Sequence, residues 1–431
     1  MKKYFIVAVL SLILLLSCNK DDNQEVIAEV ASISPNILFI IADDLGKDAI
    51  SGYLEGNIKP NTPSLDDIRN SGIAFDNLWV YPTCSPTRAS IITGKYGYRT
   101  NVKWAGDILS NSENILHNYI KSQTNNKYST AVIGKWHLAG DANSTFNPET
   151  FGIDYYAGLL SGGGGYTQWV LSEDGINTNQ NNYITEKFTD LSIDWINTQE
   201  KPWFLWLAYT APHTPFHSPP SQMHSQGNLP EYVQGMDPIP YYLAAIEAMD
   251  YQIGRLLENI PEDEKENTTI IFIGDNGSPN QVAQSPYSST TAKGSLFQGG
   301  INTPMFVSGA NVSRVGSENN LITGTDLFST ISELAGINVT EIHDSKSFKS
   351  LLSNTSTIRE YQYSEMNDGT NDLWTIRNSQ FKLIVNANSE EKLYDLISDP
   401  YENLNLLDVT LTNEQIQAKT ELEIELSQIR N

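Results

Sequence analysis

Asp43-Asp44 and Asp275-Asn276, more than two hundred residues apart, are pairs of carboxylate and amide side chains, the oxygen donors a hard divalent cation prefers. Arg88, Lys135 and Lys293 are cations able to hold an anion, and His137 and His213 can move protons near neutral pH. Cys84 is a third kind of group. As a thiol it is a soft donor and matches a hard cation poorly. Each residue also has an ordinary reading: Asp44 as a helix N-cap, an isolated histidine as a hydrogen-bonded structural side chain. A cap accounts for Asp44 but leaves the distant Asp275-Asn276 pair unexplained.

Four apolar runs deliver these groups. Asn36 to Ala42 stops at Asp43-Asp44, Ala131 to Ile133 precedes Gly134-Lys135-Trp136-His137, Phe204 to Ala208 precedes Pro212-His213, and Ile270 to Ile273 precedes Asp275-Asn276. Continuous apolar runs with β-branched content predict strands buried on both faces. Helix-like stretches such as Thr185 to Asn197 and Tyr241 to Asn259 lie between them, so the fold class is α/β, a mostly parallel sheet flanked by helices. Ligands bind such sheets at the carboxyl edge, where all four runs end. Towards the C-terminus, Leu373 to Arg377, Phe381 to Val385 and Lys392 to Leu396 predict a smaller antiparallel sheet, and Asn413 to Ile429 a closing helix. Gly162 to Gly165 reads as a flexible loop rather than a phosphate cradle, because no Lys-Ser/Thr follows it.

Cys84-Ser85-Pro86-Thr87-Arg88 resembles the sulfatase signature Cys-x-Pro-x-Arg, in which a maturase oxidises the cysteine to Cα-formylglycine. The continuation Ala89 to Tyr96 is similar to the family's helix after the nucleophile. In order along the chain, Ala42-Asp43-Asp44-Leu45-Gly46, Gly134-Lys135-Trp136-His137, Ala211-Pro212-His213-Thr214-Pro215, Gly274-Asp275-Asn276-Gly277 and Lys293-Gly294-Ser295 each resemble a family motif. So does Lys392-Leu393-Tyr394-Asp395-Leu396 with Asp399-Pro400. The chain is identified by this resemblance as a formylglycine-dependent (type I) sulfatase of the alkaline-phosphatase-like superfamily. The domains expected are a catalytic α/β domain at residues 35–345 and a C-terminal α+β subdomain at 346–431.

The resemblance implies a sulfuric ester hydrolase acting on sulfated carbohydrate, with Ca²⁺, or alternatively Mg²⁺, held by Asp43, Asp44, Asp275, Asn276 and the modified Cys84. It implies that Asp275 takes the proton from the nucleophile, that His213 and Lys293 serve the sulfate and the leaving oxygen, and that His137 is the base that regenerates the aldehyde. Arg88 and Lys135 would hold the formylglycine and the sulfate oxygens. Thr87 stands where the signature often has Ser, and keeps a hydroxyl. Gln298 stands where the family often has Glu, which puts a contact near Lys293 in doubt. Lys103, Trp104, Tyr166, Trp169 and His217 adjoin the motifs and are candidates for sugar contact, although aromatics near a pocket more often pack.

Lys2-Lys3 followed by the apolar run Phe5 to Leu16 and Leu15-Leu16-Ser17-Cys18 reads as a signal peptide (1–17) with a bacterial lipobox, making Cys18 the lipidated residue of a tether (18–34). Asn19-Lys20-Asp21-Asp22 resembles a short signal for export to the outer face of the outer membrane. The chain carries 51 acidic and 27 basic residues, a net charge of -24, which argues against nucleic acid as a partner. A sulfated substrate would then need a local positive pocket, expected from Arg88, Lys135 and Lys293 with the two histidines. Two other functions fit the same fold: a phosphodiesterase or phosphonate hydrolase, and a non-catalytic surface glycan-binding lipoprotein.

Overall fold

The computed structural model describes residues 34–140 and 146–431. The expected leader, most of the tether and Cys18 lie outside the described residues. Eleven strands form the large sheet. These are β1 (Asn36–Asp43), β2 (Ile73–Trp79), β3 (Ser129–Lys135), β4 (Tyr155–Leu159), β5 (Trp169–Glu173), β6 (Ile176–Gln180), β7 (Trp203–Pro212), β8 (Thr268–Gly274), β9 (Asn302–Gly309), β10 (Gly316–Glu318) and β11 (Ile322–Thr323). Their order is β10-β2-β9-β8-β1-β7-β3-β4-β5-β6, with β11 beside β2.

The four apolar runs are the adjacent strands β8, β1, β7 and β3, all parallel, with Ile37 opposite both Phe204 and Thr269. Being parallel, they end at one edge. Side-chain alternation along β1 explains why the run is apolar throughout. Ile37, Phe39 and Ile41 pack with Ile91, Ile92 and Phe328 on one face. Leu38 and Ile40 pack with Phe188, Leu243 and Ile253 on the other. Helices Cys84–Thr93, Leu116–Gln123 and Asp326–Leu334 therefore cover the first face. Pro63–Asn70, Ile184–Ile196 and Ile239–Asn259 cover the second.

After the two-stranded hairpin β12 (Glu341–Ile342) and β13 (Ser345–Lys346), Phe348, Leu351 and Leu352 still pack into the main core. The smaller sheet begins only at β14 (Gln362–Asn367), followed antiparallel by β15 (Asp372–Arg377), β16 (Phe381–Asn386) and β17 (Glu391–Asp395). The closing helix Asn413–Arg430 opens with a reciprocal cap between Thr412 and Gln415 and lays Leu422 and Leu426 on Leu383. β14 has no strand-like apolar pattern because its polar side chains are spent on the main domain. Gln362 Nε2 donates to Asn77 O and Ile322 O, and Ser364 Oγ to Val80 O.

Candidate active site at the carboxyl edge

β1 and β8 run in register to Ala42 opposite Gly274, so Asp43-Asp44 and Asp275-Asn276 emerge side by side. Asp275 N–H donates to Ala42 O at 3.1 Å, and Asp44 N–H to Asp275 Oδ1 at 3.0 Å. Asp44 sits at φ +67°, a left-handed conformation rare outside glycine and a mark of local backbone strain. Tyr242 holds it by donating its hydroxyl to Asp44 O at 2.7 Å.

Cys84 opens a ten-residue helix in which every residue is buried. Its Sγ lies 3.2 Å from Asp43 Oδ1 and 3.8 Å from Asp44 Oδ1. Thr87 fixes the approach to the helix, accepting from Tyr81 N–H at 2.9 Å and donating to Tyr81 O at 3.2 Å. That is what the hydroxyl at this position does. One turn on, Arg88 donates through Nε (3.1 Å) and Nη2 (2.7 Å) to Asp275 Oδ2, and through Nη1 to Lys135 O at 2.6 Å.

β3 ends on Lys135, whose Nζ lies 2.5 Å from Asp43 Oδ2. His137 follows at φ +59°, with its carbonyl held by Ser85 Oγ at 2.8 Å. The imidazole lies against Gly162, where an added Cβ would stand 2.1 Å from His137 Nε2. From the end of β7, His213 places Nε2 3.7 Å from Asp44 Oδ2 while its Nδ1 is 2.5 Å from Thr214 O. Lys293 Nζ donates to Asp44 Oδ2 at 2.6 Å.

The electrostatics follow from burial and these contacts. Burial pushes the Asp43 carboxyl up, but Lys135, His213, Arg88 and Lys293 outweigh it and hold the group far below the usual range. Asp275 is pushed up to about 6 by burial and by Asp43, against Arg88 and Lys135. Burial, then Asp43, raises the Cys84 thiol well above its ordinary value, so it is a protonated donor to Asp43 and a weak nucleophile. Burial, then Lys135 and Arg88, drives His137 down to about 2. Its ring is neutral, and its buried Nδ1 has no hydrogen-bond partner among the described residues.

Asp275, the carboxylate to which the resemblance gives the nucleophile's proton, makes no hydrogen bond to Cys84 among the described residues: its Oδ1 takes the Asp44 N–H and its Oδ2 the Arg88 guanidinium, while Cys84 touches Asp43 and Asp44. Nor do the cations alone make the pocket positive. Arg88 pairs with Asp275, Lys135 with Asp43 and Lys293 with Asp44, so three cations face three carboxylates. A positive excess requires a further cation, and the donor set fits one. Oxygen, sulfur and nitrogen atoms of Asp43, Asp44, Cys84 and His213 lie within 4.8 Å of one another. Asn276, donating to Asp44 Oδ1 at 2.8 Å, leaves its own buried Oδ1 without a partner among the described residues, a hard acceptor that a divalent cation would satisfy.

The aromatic candidates mostly pack. Tyr166 is buried with its hydroxyl on Thr210 O and His213 O, Trp169 lies on Phe188, and His217 stacks on Tyr166. Trp104, half-buried, lies 3.9 Å from where a Cβ on Gly294, the neighbour of Lys293, would stand; Lys103 is half-buried, with its N–H on Asp107 Oδ2. Gln298 accepts from Trp79 Nε1 at 3.3 Å and donates its backbone N–H to Glu402 Oε2 at 2.6 Å. Ser85, Gly162 and Tyr242 hold the site in place without any chemistry that a sequence motif would announce.

The architecture is an α/β sheet whose parallel strands gather carboxylates, cations and a helix-initial cysteine at one edge. The chain belongs to the Sulfatase family, whose model matches residues 35–337, and residues 291–431 match that of N-sulphoglucosamine sulphohydrolase, C-terminal. The uncharacterized sulfatase YdeN of Escherichia coli is 28% identical over 367 residues, 71% of this chain and 63% of YdeN, so this chain spans less than two thirds of that relative. An ulvan-active sulfatase of Formosa agariphila is 25% identical over 438 residues, 91% of this chain and 81% of that protein. Ps i-CgsB, solved in complex with k-i-k-neocarrahexaose, shares the fold with a TM-score of 0.77 at 23% identity, covering 92% of each chain.

Proposed function

We propose that this protein hydrolyses sulfate esters of a sulfated polysaccharide or its oligosaccharides at the Cys84 pocket. The observation that carries this reading is the Cys84 side chain at the start of a buried helix, in contact with Asp43 and Asp44, with Arg88 and Lys135 on Asp43, and His213 and Lys293 on Asp44. Conversion of Cys84 to formylglycine by a maturase supplies the oxygen nucleophile that the raised thiol cannot, and Ca²⁺ or Mg²⁺ supplies positive charge beside it. Asp43, Asp44, Asp275 and Asn276 with residue 84 are the groups that would hold the cation.

The chain's own side chains do the rest. Lys293 and Lys135 present ammonium groups to sulfate oxygens, with Arg88 anchoring Asp275. His213, its Nδ1 turned to Thr214 O, keeps Nε2 to give a proton to the leaving oxygen. Neutral His137 accepts a proton at residue 84. The ulvan-active relative supports a carbohydrate substrate, and the lipobox pattern at Cys18 supports a lipid anchor at the outer membrane, facing such a polymer.

Peptide mass spectrometry of the protein from its native host tests the reading: an aldehyde at position 84 is expected, and full activity with an intact thiol would overturn it. Nitrophenyl sulfate should be turned over in preference to nitrophenyl phosphate, the reverse indicating a phosphoryl enzyme. Added Ca²⁺ should raise the unfolding temperature and a chelator lower it, since a cation bound only by the folded state stabilises it by mass action.

A further inference from the structure

Lys293 turns its ammonium to Asp44, and its neighbour Gly294 lines a second, half-open cavity of about 330 Å³. This volume is at the small end of ligand pockets. One peptide unit thus joins the two spaces. The Gly294 N–H is fixed on Pro82 O at 2.9 Å. Phe297, Met366 and Leu373 give the cavity an apolar wall; at its edge Asn371 Nδ2 donates to Asp368 Oδ2 at 2.8 Å and the Asn386 amide is spent on Glu390 and Asn388, which leaves the Asn371 Oδ1 as the amide acceptor for a ligand among the described residues.

The charges there are unequal in their commitments. Glu391 pairs with Lys419 at 2.7 Å, and Glu390 accepts from Asn386 Nδ2 at 2.7 Å. Lys392 lies over the Phe297 ring, 5.2 Å from its centroid, and among the described residues makes no ion pair. Trp104 stands on the Gly294 side, its indole 3.9 Å from where a Gly294 Cβ would be. Its loop is pinned by hydrogen bonds: Asp107 Oδ2 accepts N–H of Lys103 (2.8 Å) and Trp104 (2.9 Å), and Gly106 N–H donates to Ser85 Oγ at 2.9 Å. The indole is thereby tied to the residue after Cys84.

An apolar wall beside an amide acceptor and an indole suits a pyranose, which has a C–H face and a hydroxyl edge. An uncommitted ammonium suits an anionic substituent on that ring. Resting on the sulfatase reading of the Cys84 pocket, we propose that this cavity binds the sugar adjacent to the sulfated one, and that Lys392 selects a neighbour carrying its own sulfate or carboxylate. The substrate class is then an oligosaccharide with anions on successive residues.

Calorimetric titration of the full chain with unconverted Cys84, in Ca²⁺, reads this without turnover. The probes are mono- and dianionic disaccharides from carrageenan and ulvan and the matching sulfated monosaccharides. The wild type should bind a disaccharide more tightly than its monosaccharide. Asn371→Trp, at an exposed position, should erase that advantage. Lys392→Gln should lower the preference for the dianionic form by about 5-fold, the size of one exposed charge contact. Disaccharides binding no better than monosaccharides, or an undiminished preference in Lys392→Gln with an unchanged unfolding transition, would overturn the proposal. Failure of the sulfatase reading shows separately, as matured enzyme without nitrophenyl sulfate turnover.

Discussion

His213 has its two ring nitrogens held differently, Nδ1 by Thr214 O and Nε2 towards Asp44 Oδ2, so a transferable proton belongs on Nε2. A phenoxide leaves without much help, whereas a sugar alkoxide depends on that proton. His213→Ala is therefore expected to cost about 10²- to 10⁴-fold on a sugar sulfate and much less on nitrophenyl sulfate. Equal losses on both would assign His213 to sulfate binding and make Lys293 the better acid. Gly162→Ala tests a residue with no chemistry of its own. A methyl there must meet His137 Nε2, so kcat should fall on both substrates while the unfolding temperature stays near wild type; unchanged kcat would show that the imidazole has room to move. The contrast explains what the sequence revealed. Cys84, Arg88, Asp43 and Asp275 announce themselves by residue type and spacing, while Ser85, Gly162 and Tyr242 act through position, which exists only after folding.

Elements were legible where one side-chain pattern served one environment. The central strands, buried on both faces, are apolar throughout and stood out; β14 spends Gln362 and Ser364 on main-domain carbonyls and did not. Helix Pro63–Asn70 shows the same limit. Its own N-cap Thr62 makes no side-chain cap; instead Asp250, from helix Ile239–Asn259, accepts N–H of Leu65 (2.7 Å) and Ser64 (3.2 Å). No local motif can encode a cap supplied from a distant helix. Burial outweighs those N–H groups and raises Asp250 to about 6. The folded state then binds this proton more tightly than the unfolded one, so the stability Asp250 contributes is present below about pH 4 and lost as pH rises through about 6. Asp250→Asn does not titrate. Against wild type its stability should improve across that window by of the order of 1–3 kcal/mol, read from thermal unfolding at each pH. A constant difference would mean the two N–H groups fully offset burial.

At the scale of the whole molecule, charge and site pull in opposite directions. The chain's net charge of -24 repels a polyanion at long range, while on the proposed reading the pocket would attract sulfate only over the few ångströms where Lys293, Lys135 and His213 converge and a cation would sit. Composition announced the first term. The second was only half legible, because the sequence gives three cations and hides that each is already matched by a carboxylate. Salt separates the two by range. The screening length falls from about 10 Å at 0.1 M to about 3 Å at 1 M, so added salt removes the distant repulsion first and touches the buried contacts least. A small aryl sulfate barely feels the distant field, whereas a polysulfated oligosaccharide must cross it. Raising NaCl from about 0.05 to about 0.5 M should therefore increase kcat/KM on the oligosaccharide several-fold relative to nitrophenyl sulfate. A ratio that falls instead would mean that a basic surface around the mouth, with Lys392 its candidate, dominates encounter, and that the acidic excess lies on faces the substrate never approaches.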